Sequence, residues 1–232
     1  MKQTKVTVFG DSIAKGLTIK DGKPAKLQKN AVDIVQNYFH INIDNQSCFG
    51  QTVRRLDEKG IIDEYLKKLT LQEKNIAVIS LGGNDTDFDW KTVSNEPRKN
   101  HTCKTPLAIF VQTYKKIIKK LHNNKVEVYI CALPAVESKL FFENYVCKIA
   151  KKENILEYLD NDLSKIIRHQ ELFNNAIREL ARETSAKFID IRSPFLEVRN
   201  IKKLYCNDGL HPNEDGQVLI ADTIINYFDT KH

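Results

Sequence analysis

A serine lies at the end of the first short apolar segment of the chain. Gly10, Asp11 and Ser12 directly follow the run from Val6 to Phe9, which is typical of a strand. A serine at the carboxyl end of a strand, just before a helix, is presented to solvent with the N–H dipoles of the helix behind it. This position suits a nucleophile. Asp and Ser are also common turn and N-cap residues, so the tripeptide by itself leaves a structural role open.

A candidate base and a candidate carboxylate partner lie together near the other end of the chain, in the segment 207–213. A serine hydroxyl is a poor nucleophile until a base removes its proton. The base works best when a carboxylate fixes its tautomer and supports the imidazolium that forms. Asp208 and His211 supply both groups from one loop. The segment alone is equally compatible with a turn at Asp208, a surface histidine and a helix that starts near Pro212 and Asn213.

Two further segments carry groups that could stabilise negative charge on oxygen. Gly82, Gly83 and Asn84 follow the apolar run 76–79, and paired glycines let the backbone turn tightly while the asparagine amide points into a pocket as a donor. Gly50 follows another short apolar stretch, where its backbone N–H could face the same oxyanion. Each segment alone is also ordinary turn chemistry.

Taken together, the four segments resemble the SGNH hydrolases, also called the GDSL family, in which serine, glycine, asparagine and histidine come from four separated blocks. The matching residues occur in family order and cover the chain from about Thr4 to Phe228. They are Gly-Asp-Ser at 10–12, Gly50, Gly-Gly-Asn-Asp at 82–85 and Asp-Gly-Leu-His-Pro at 208–212. Ile13 stands where the family often has leucine, which is a change between similar apolar residues.

The resemblance implies a role for each matching residue. Ser12 would attack an acyl carbonyl, His211 would act as general base and then as general acid, and Asp208 would orient His211. The backbone N–H groups of Ser12 and Gly50 and the side-chain amide of Asn84 would form the oxyanion hole. The order of serine, aspartate and histidine also fits α/β-hydrolases, but the Gly-x-Ser-x-Gly pentapeptide of that fold is absent from the sequence.

Strand-like and helix-like segments alternate along the chain, which predicts an α/β fold with a parallel sheet and helices on both faces. Strands are expected near 5–9, 40–46, 76–81, 125–132 and 187–191. Helices are expected near 27–39, 52–69, 105–122, 164–184 and 213–228. This pattern fits the three-layer α/β/α, flavodoxin-like fold of the family, with a central five-stranded parallel sheet. Ligands bind beyond the carboxyl ends of such strands, where Ser12, Gly50 and Asn84 should emerge.

Two long segments, 85–104 and 134–163, exceed a minimal scaffold and are candidate walls of a substrate site. Asp11, Asp85, Phe88 and Trp90 are the tentative substrate-binding residues. The alternative is that Trp90 fills a gap in the core and that the aromatic residues at 141–145 pack a short helix.

Composition agrees with a single enzyme domain over residues 1–232. A chain of 232 residues with 41% hydrophobic content can bury a sizeable core, and no repeat or linker-like stretch divides it. The net charge is +6, and the lysines of the segment 115–120 lie opposite its apolar positions, as on a solvated helix face. Basic residues interleaved with stacking aromatics are missing, so we expect no nucleic-acid partner.

The cysteines and histidines predict neither a metal nor another cofactor. The odd number of cysteines and the lack of close zinc-type pairing predict reduced thiols at Cys48, Cys103, Cys131, Cys147 and Cys206. The first residues lack the apolar stretch of a signal peptide, and no segment is long enough to span a bilayer, so we expect a cytoplasmic protein. Oligomeric state stays open.

The function predicted from the sequence is that of a serine esterase that hydrolyses a carboxylic ester through an acyl-enzyme on Ser12. Esters of short acyl chains and O-acetylated carbohydrates are the leading substrate classes, followed by lysophospholipids and thioesters, because the family covers all of them. The alternative is a catalytically silent module that keeps the fold and binds a glycan or an acyl ligand. The presence of every catalytic residue type argues against this alternative.

Overall fold

A computed structural model describes residues 4–20, 23–70 and 72–230 of the chain. Five parallel strands of this described part form one sheet in the order β4-β1-β5-β6-β7, and a short antiparallel hairpin pairs β2 with β3. The strands are β1 (Thr4–Gly10), β2 (Leu17–Lys20), β3 (Lys23–Lys26), β4 (Ile43–Asn45), β5 (Lys74–Ser80), β6 (Glu127–Cys131) and β7 (Lys187–Ile189). When only the five strands of the large sheet are counted along the chain, this order is 2-1-3-4-5, which is the flavodoxin-like order.

Helices cover both faces of the sheet and also gather above its carboxyl edge. They are α1 (Ala31–Phe39), α2 (Val53–Glu58), α3 (Ile61–Lys67), α4 (Trp90–Asn95), α5 (Leu107–Asn123), α6 (Ser138–Phe141), α7 (Cys147–Ile149), α8 (Lys152–Tyr158), α9 (Ser164–Thr184), α10 (Ser193–Glu197) and α11 (Glu214–Asp229). A π-helical turn, Phe142–Val146, joins α6 to α7, and a 3-10 turn occupies Ile201–Leu204.

Three apolar clusters hold these layers together. The first lies between one face of the sheet and α2, α3, α5 and α9, and it includes the fully buried Phe9 and Ile79. The second lies on the opposite face beneath α1 and α11, around Ile189. These two clusters make the predicted α/β/α sandwich. The third packs α4, α6 and α8 around Trp90, beyond the sheet itself.

The central strands are largely buried because helices cover both faces, so most of their residues are apolar. Residues 6–10 of β1 are all buried, and Phe9 packs edge-to-face on Tyr65 of α3. The edge strand β4 is shorter than the predicted 40–46 and has two exposed residues, because only β1 pairs with it.

Two of the predicted helices differ from the observed ones. The predicted helix 27–39 begins at Ala31, because the Asn30 side chain caps it by accepting from the N–H of Asp33 and the chain before it belongs to the hairpin. The predicted helix 52–69 is divided into α2 and α3 at Gly60, whose φ of 63° lies in the left-handed region. The hairpin itself was not predicted, since its strands are short, rich in lysine and interrupted by Pro24.

Candidate active site

The three candidate segments that follow strands meet at one edge of the sheet. β1 lies between β4 and β5, and Gly10 at the end of β1 pairs with Ser80 at the end of β5. The carboxyl ends of parallel strands share one edge, so the loops that carry Ser12, Gly50 and Asn84 are neighbours. This is the place where the strand order reverses, at which ligands bind in open α/β sheets.

Hydrogen bonds connect Ser12, His211 and Asp208 in a continuous chain. The Ser12 Oγ atom lies 2.9 Å from His211 Nε2, although the two residues are 199 positions apart in sequence. On the other side of the ring, His211 Nδ1 lies 2.7 Å from Asp208 Oδ2. The Nδ1–H group donates a hydrogen bond to the carboxylate, which leaves Nε2 to accept from the serine hydroxyl. An imidazole held in this tautomer can take a proton from the hydroxyl.

The Asp208 carboxylate is fixed by its own backbone. Its Oδ1 atom accepts from the N–H groups of Leu210 at 2.9 Å and His211 at 3.0 Å. Burial by itself raises the pKa of Asp208, but the hydrogen bond and charge of His211 together with the two N–H bonds outweigh it, so its pKa lies below the ordinary value. Asp208 is therefore ionised at neutral pH and supports a positive charge on His211.

The neighbouring segment 137–144 forms hydrogen bonds with the loop on both sides of Asp208. The backbone N–H of Glu137 donates to the carbonyl of Gly209 at 2.9 Å, and the Asn144 side chain donates to the carbonyl of Asn207 at 2.7 Å. Asn144 lies in the π-helical turn, a distortion that often occurs at functional sites. These contacts could not be predicted, because nothing in the local sequence links the segment 137–144 to the loop.

Asn84 joins the three loops that follow β1, β4 and β5. Its Nδ2 atom donates to Asp11 Oδ2 at 3.3 Å and to the carbonyl of Gln51 at 3.2 Å. Asp11 also accepts from the backbone N–H of Ile13 at 2.9 Å. Both contacts of the amide are long, so Asn84 is held between these loops without being tightly bound.

Asp11 and Asp85, two of the tentative substrate-binding residues, are buried inside the scaffold. Asp11 is 4% exposed and Asp85 is fully buried, where both of its carboxylate oxygens accept from the N–H of Val53. Burial raises the pKa of each carboxyl to about 6, against the opposing effect of their hydrogen bonds. The Asp85 carboxylate holds the start of α2, and Asp11 accepts from Asn84. The predicted substrate contact of these two residues stays a prediction.

Two backbone N–H groups of the site are available to bind an anion. Within residues 4–20, 23–70 and 72–230, the N–H groups of Ser12 and Gly50 donate to no protein acceptor. Gly50 adopts a φ of 66°, a left-handed conformation that glycine accepts without strain. Polar groups without a protein partner beside a reactive hydroxyl can bind a developing negative charge.

Phe49 is a component of the site that the sequence analysis missed. Its ring is nearly parallel to that of His211, with an interplanar angle of 7° and centroids 6.4 Å apart. Ser12 and His211 are only 4% and 5% exposed, whereas Phe49 is 48% exposed. The only sequence signal was its position directly before Gly50, and a phenylalanine in an apolar stretch cannot be distinguished there from a core residue.

A cavity of about 810 Å³ opens beside Gly83, Asn84 and Leu210. Both long segments, 85–104 and 134–163, contribute to its walls. Phe88 and Trp90 line the cavity, and Trp90 is also part of the third apolar cluster. Their contact with substrate stays a prediction. Other lining residues are Arg98, Lys99, Phe141, Tyr158, Lys165, Arg168 and His169. The volume lies within the range of small-molecule sites, about 300–1,000 Å³.

The described residues show no metal centre among their titratable side chains. No group of three or more His, Cys, Asp or Glu in the described ranges is arranged to hold a metal ion. All five cysteines are free thiols in this structure. Among the helices of the described part, none combines the length and apolar character needed to cross a membrane.

Comparison with known proteins finds one family and a consistent fold. Residues 8–219 match the GDSL-like Lipase/Acylhydrolase family. The chain is 23% identical over 172 residues to the GDSL esterase/lipase CPRD49 of Arabidopsis thaliana, and this match covers 71% of the chain and 58% of that relative. The chain thus spans a little over half the length of the curated relative.

Solved structures of similar fold cover almost the whole chain. A lipase/acylhydrolase from Enterococcus faecalis has a TM-score of 0.63 at 19% identity, covering 99% of this chain and 97% of the other. The acetylxylan esterase Axe2 from Geobacillus stearothermophilus has a TM-score of 0.64 at 18% identity, covering 97% of this chain and 94% of the other. The esterase EstA from Pseudoalteromonas, in a structure inhibited by monoethylphosphonate, has a TM-score of 0.60 at 16% identity, covering 98% of each chain. These similarities show a shared fold.

Proposed function

Because the chain belongs to the GDSL-like lipase/acylhydrolase family, we propose that it is a serine esterase that cleaves a carboxylic ester through an acyl-enzyme on Ser12. The observation that carries the proposal is the hydrogen-bonded chain from Ser12 through His211 to Asp208. A nucleophile, a base and a carboxylate that orients the base are the groups that acyl transfer requires.

The proposed reaction has two steps. Ser12 Oγ attacks the ester carbonyl while its proton moves to His211 Nε2, and Asp208 stabilises the imidazolium that forms. The tetrahedral intermediate then collapses: the bond to the alcohol oxygen breaks, and His211 gives the proton to that oxygen. In the second step His211 removes a proton from water, and the water oxygen attacks the acyl carbon. The bond between the acyl carbon and Ser12 Oγ then breaks, and His211 returns the proton to Oγ, which releases the acid and restores the Ser12 hydroxyl.

The oxyanion of each tetrahedral intermediate would accept from three donors. The backbone N–H groups of Ser12 and Gly50 lack a protein acceptor in the described chain, which supports this role. The third donor would be Asn84, whose amide would exchange its long bond to the Gln51 carbonyl for a bond to the oxyanion. Such donors act most strongly as negative charge develops, so they lower the barrier more than they improve substrate binding.

The cavity beside Asn84 favours esters of short acyl groups, including O-acetylated carbohydrates, over esters of long alkyl chains. Its lining combines aromatic rings with ion-paired charged side chains, among them Arg98 with Glu157 and Lys165 with Asp160. A long alkyl chain would require a continuous apolar channel, whereas a hydroxyl-rich ligand can use ring faces and charged donors together. The acetylxylan esterase among the proteins of similar fold is consistent with this preference.

A fluorophosphonate probe tests the proposal directly. Wild-type protein should become covalently labelled, and peptide mapping should locate the label on Ser12. Ser12→Ala and His211→Ala should each lower ester hydrolysis by several orders of magnitude with unchanged circular dichroism, because nucleophile and base act as a unit. A panel of p-nitrophenyl esters from acetyl to dodecanoyl, together with acetylated xylose, then defines the substrate.

The same experiment separates the esterase from a silent binding module. A binding module would bind a glycan or an acyl ligand without being labelled and without turnover. Full turnover by Ser12→Ala would refute the proposed nucleophile. Preference for dodecanoyl over acetyl esters would contradict the proposed substrate class alone.

A further inference from the structure

Phe49 is an exposed aromatic side chain that the fold does not need for its core. In the part of the chain that the structure describes, Phe49 belongs to none of the three apolar clusters, and its ring lies against His211. Nearly half of the side chain faces solvent. A single exposed apolar ring is ordinary on a protein surface, so the significance of Phe49 lies in its position beside His211 and not in its exposure.

The loop that carries Phe49 is anchored on both sides of it. The N–H of Cys48 donates to the carbonyl of Gly10 at 3.1 Å, and the N–H of Gln51 donates to the carbonyl of Cys48 at 3.3 Å. The Gln51 carbonyl in turn accepts from Asn84. The ring of Phe49 is therefore presented from a fixed turn, next to the N–H of Gly50.

The proposed reaction determines which part of the ester meets this ring. In the acylation step the proton on His211 Nε2 must reach the alcohol oxygen, so that oxygen has to come within hydrogen-bond distance, about 3 Å, of Nε2. The acyl carbon is bonded to Ser12 Oγ at that moment, and its oxyanion faces the N–H donors. The atoms beyond the alcohol oxygen consequently extend along the imidazole, one face of which is flanked by Phe49.

We propose that Phe49 determines specificity for the alcohol portion of the ester by binding a flat apolar face of that alcohol. The shared chemistry is an aromatic ring or the C–H face of a pyranose, either of which stacks on a phenyl ring better than a flexible alkyl chain does. This inference rests on the proposed esterase function. It adds a residue outside the hydrogen-bonded chain and the oxyanion donors.

The test compares acetate esters that differ only in the alcohol. We expect Phe49→Ala to lower kcat/KM for benzyl acetate and for a mono-acetylated methyl pyranoside about tenfold more than for ethyl acetate. The ratio of kcat/KM for benzyl acetate to kcat/KM for benzyl butyrate should stay unchanged, because these esters differ only in the acyl group. Phe49→Tyr should retain the wild-type preference, since it keeps the flat ring.

Leu196→Ala is the matched control, because Leu196 is another half-exposed apolar side chain, 55% exposed, and lies outside the cavity walls. It should leave every ratio of kcat/KM unchanged.

An equal loss of kcat/KM on all acetates after Phe49→Ala would overturn the specificity role. A changed ratio of kcat/KM between the acetyl and butyryl esters would place the ring against the acyl group instead. Loss on benzyl acetate without loss on the pyranoside would restrict the partner to aromatic alcohols. Fluorophosphonate labelling of Ser12 in each variant distinguishes failure of this inference from failure of the esterase proposal.

Discussion

Gly209 lies between the proposed catalytic residues of the last loop, and its replacement by alanine should disturb them through the backbone. Gly209 has a φ of 66°, and a Cβ built on it would lie 2.5 Å from the backbone N of Phe141 and 2.6 Å from the carbonyl O of Glu137. Both neighbours are backbone atoms, which cannot rotate away as a side-chain end can. The loop that carries Asp208 and His211 therefore has to move.

The size of the effect follows from these distances. Ordinary contacts begin at about 3.5 Å, so the loop or α6 must shift by roughly 1 Å. A displacement of about 1 Å in a catalytic group lowers the rate about 10²-fold, which corresponds to about 2.7 kcal/mol of barrier. Stability should also fall by about 2 to 4 kcal/mol, because the left-handed conformation costs an alanine about 1 to 2 kcal/mol and overpacking adds to it.

Gly60→Ala is the matched control for the backbone conformation. Gly60 has a similar φ of 63°, but the nearest atom to its Cβ position is the Asp63 carboxylate at 3.9 Å. This variant should lose only about 1 to 2 kcal/mol of stability and keep wild-type kcat/KM. The assay is urea unfolding together with kcat/KM on p-nitrophenyl acetate, corrected for the folded fraction. A folded Gly209→Ala protein with kcat/KM within about threefold of wild type would refute the reasoning, because such a change is only about 0.65 kcal/mol.

Three further predictions concern the oxyanion donor, a buried carboxyl and metal dependence. Asn84→Ala should lower kcat about 10²- to 10³-fold with a smaller change in KM, and a loss of less than threefold would show that the donor lies elsewhere. Burial raises the pKa of Asp85 from 3.8 to about 6, so the folded state holds this proton more tightly than the unfolded chain and wild-type stability falls as pH rises through that interval. Asp85→Asn lacks this titration. In urea unfolding, the free energy of unfolding of the variant should therefore rise relative to that of wild type by up to about 3 kcal/mol between about pH 4 and pH 7. A difference that stays constant with pH would mean that Asp85 has the same pKa in the folded and unfolded states. Prolonged dialysis against EDTA should leave ester hydrolysis unchanged, and activity that disappears and returns with added zinc would contradict a metal-free mechanism.

The segments that follow strands could be predicted because their signals are local. Apolar runs before Ser12, Gly50 and Asn84 predict strands, and parallel strands end at a common edge, so the approximate convergence of these three residues needed no coordinates. The pairing of Asp208 with His211 was also local, since a spacing of three residues lets one loop hold both. The long apolar periodicity of α5 and α9 likewise predicted helices whose bounds differ by two residues or fewer from those observed.

Other features depend on contacts between residues far apart in the chain. The sequence could not show that Asp85 turns inward to the N–H of Val53, because the direction of a loop side chain is decided by what packs around it. The clamp of Asn144 on Asn207 joins segments 63 residues apart, and the π-helical turn that carries Asn144 has no local signature. The paired strands β2 and β3 have only four residues each, and their stability comes from pairing and not from periodicity.

The amino-acid sequence by itself therefore determined the fold class, the family and the residue types available for acyl transfer, because these depend on periodicity and on short motifs. The tertiary structure decided which of those residues meet and how. It set the 2.9 Å approach of Ser12 to His211, the burial of Asp11 and Asp85, the position of the Phe49 ring beside the imidazole, and the cavity to which the segments 85–104 and 134–163 contribute. These features are set by the packing of distant elements against one another, and burial, charge and side-chain direction are consequences of that packing.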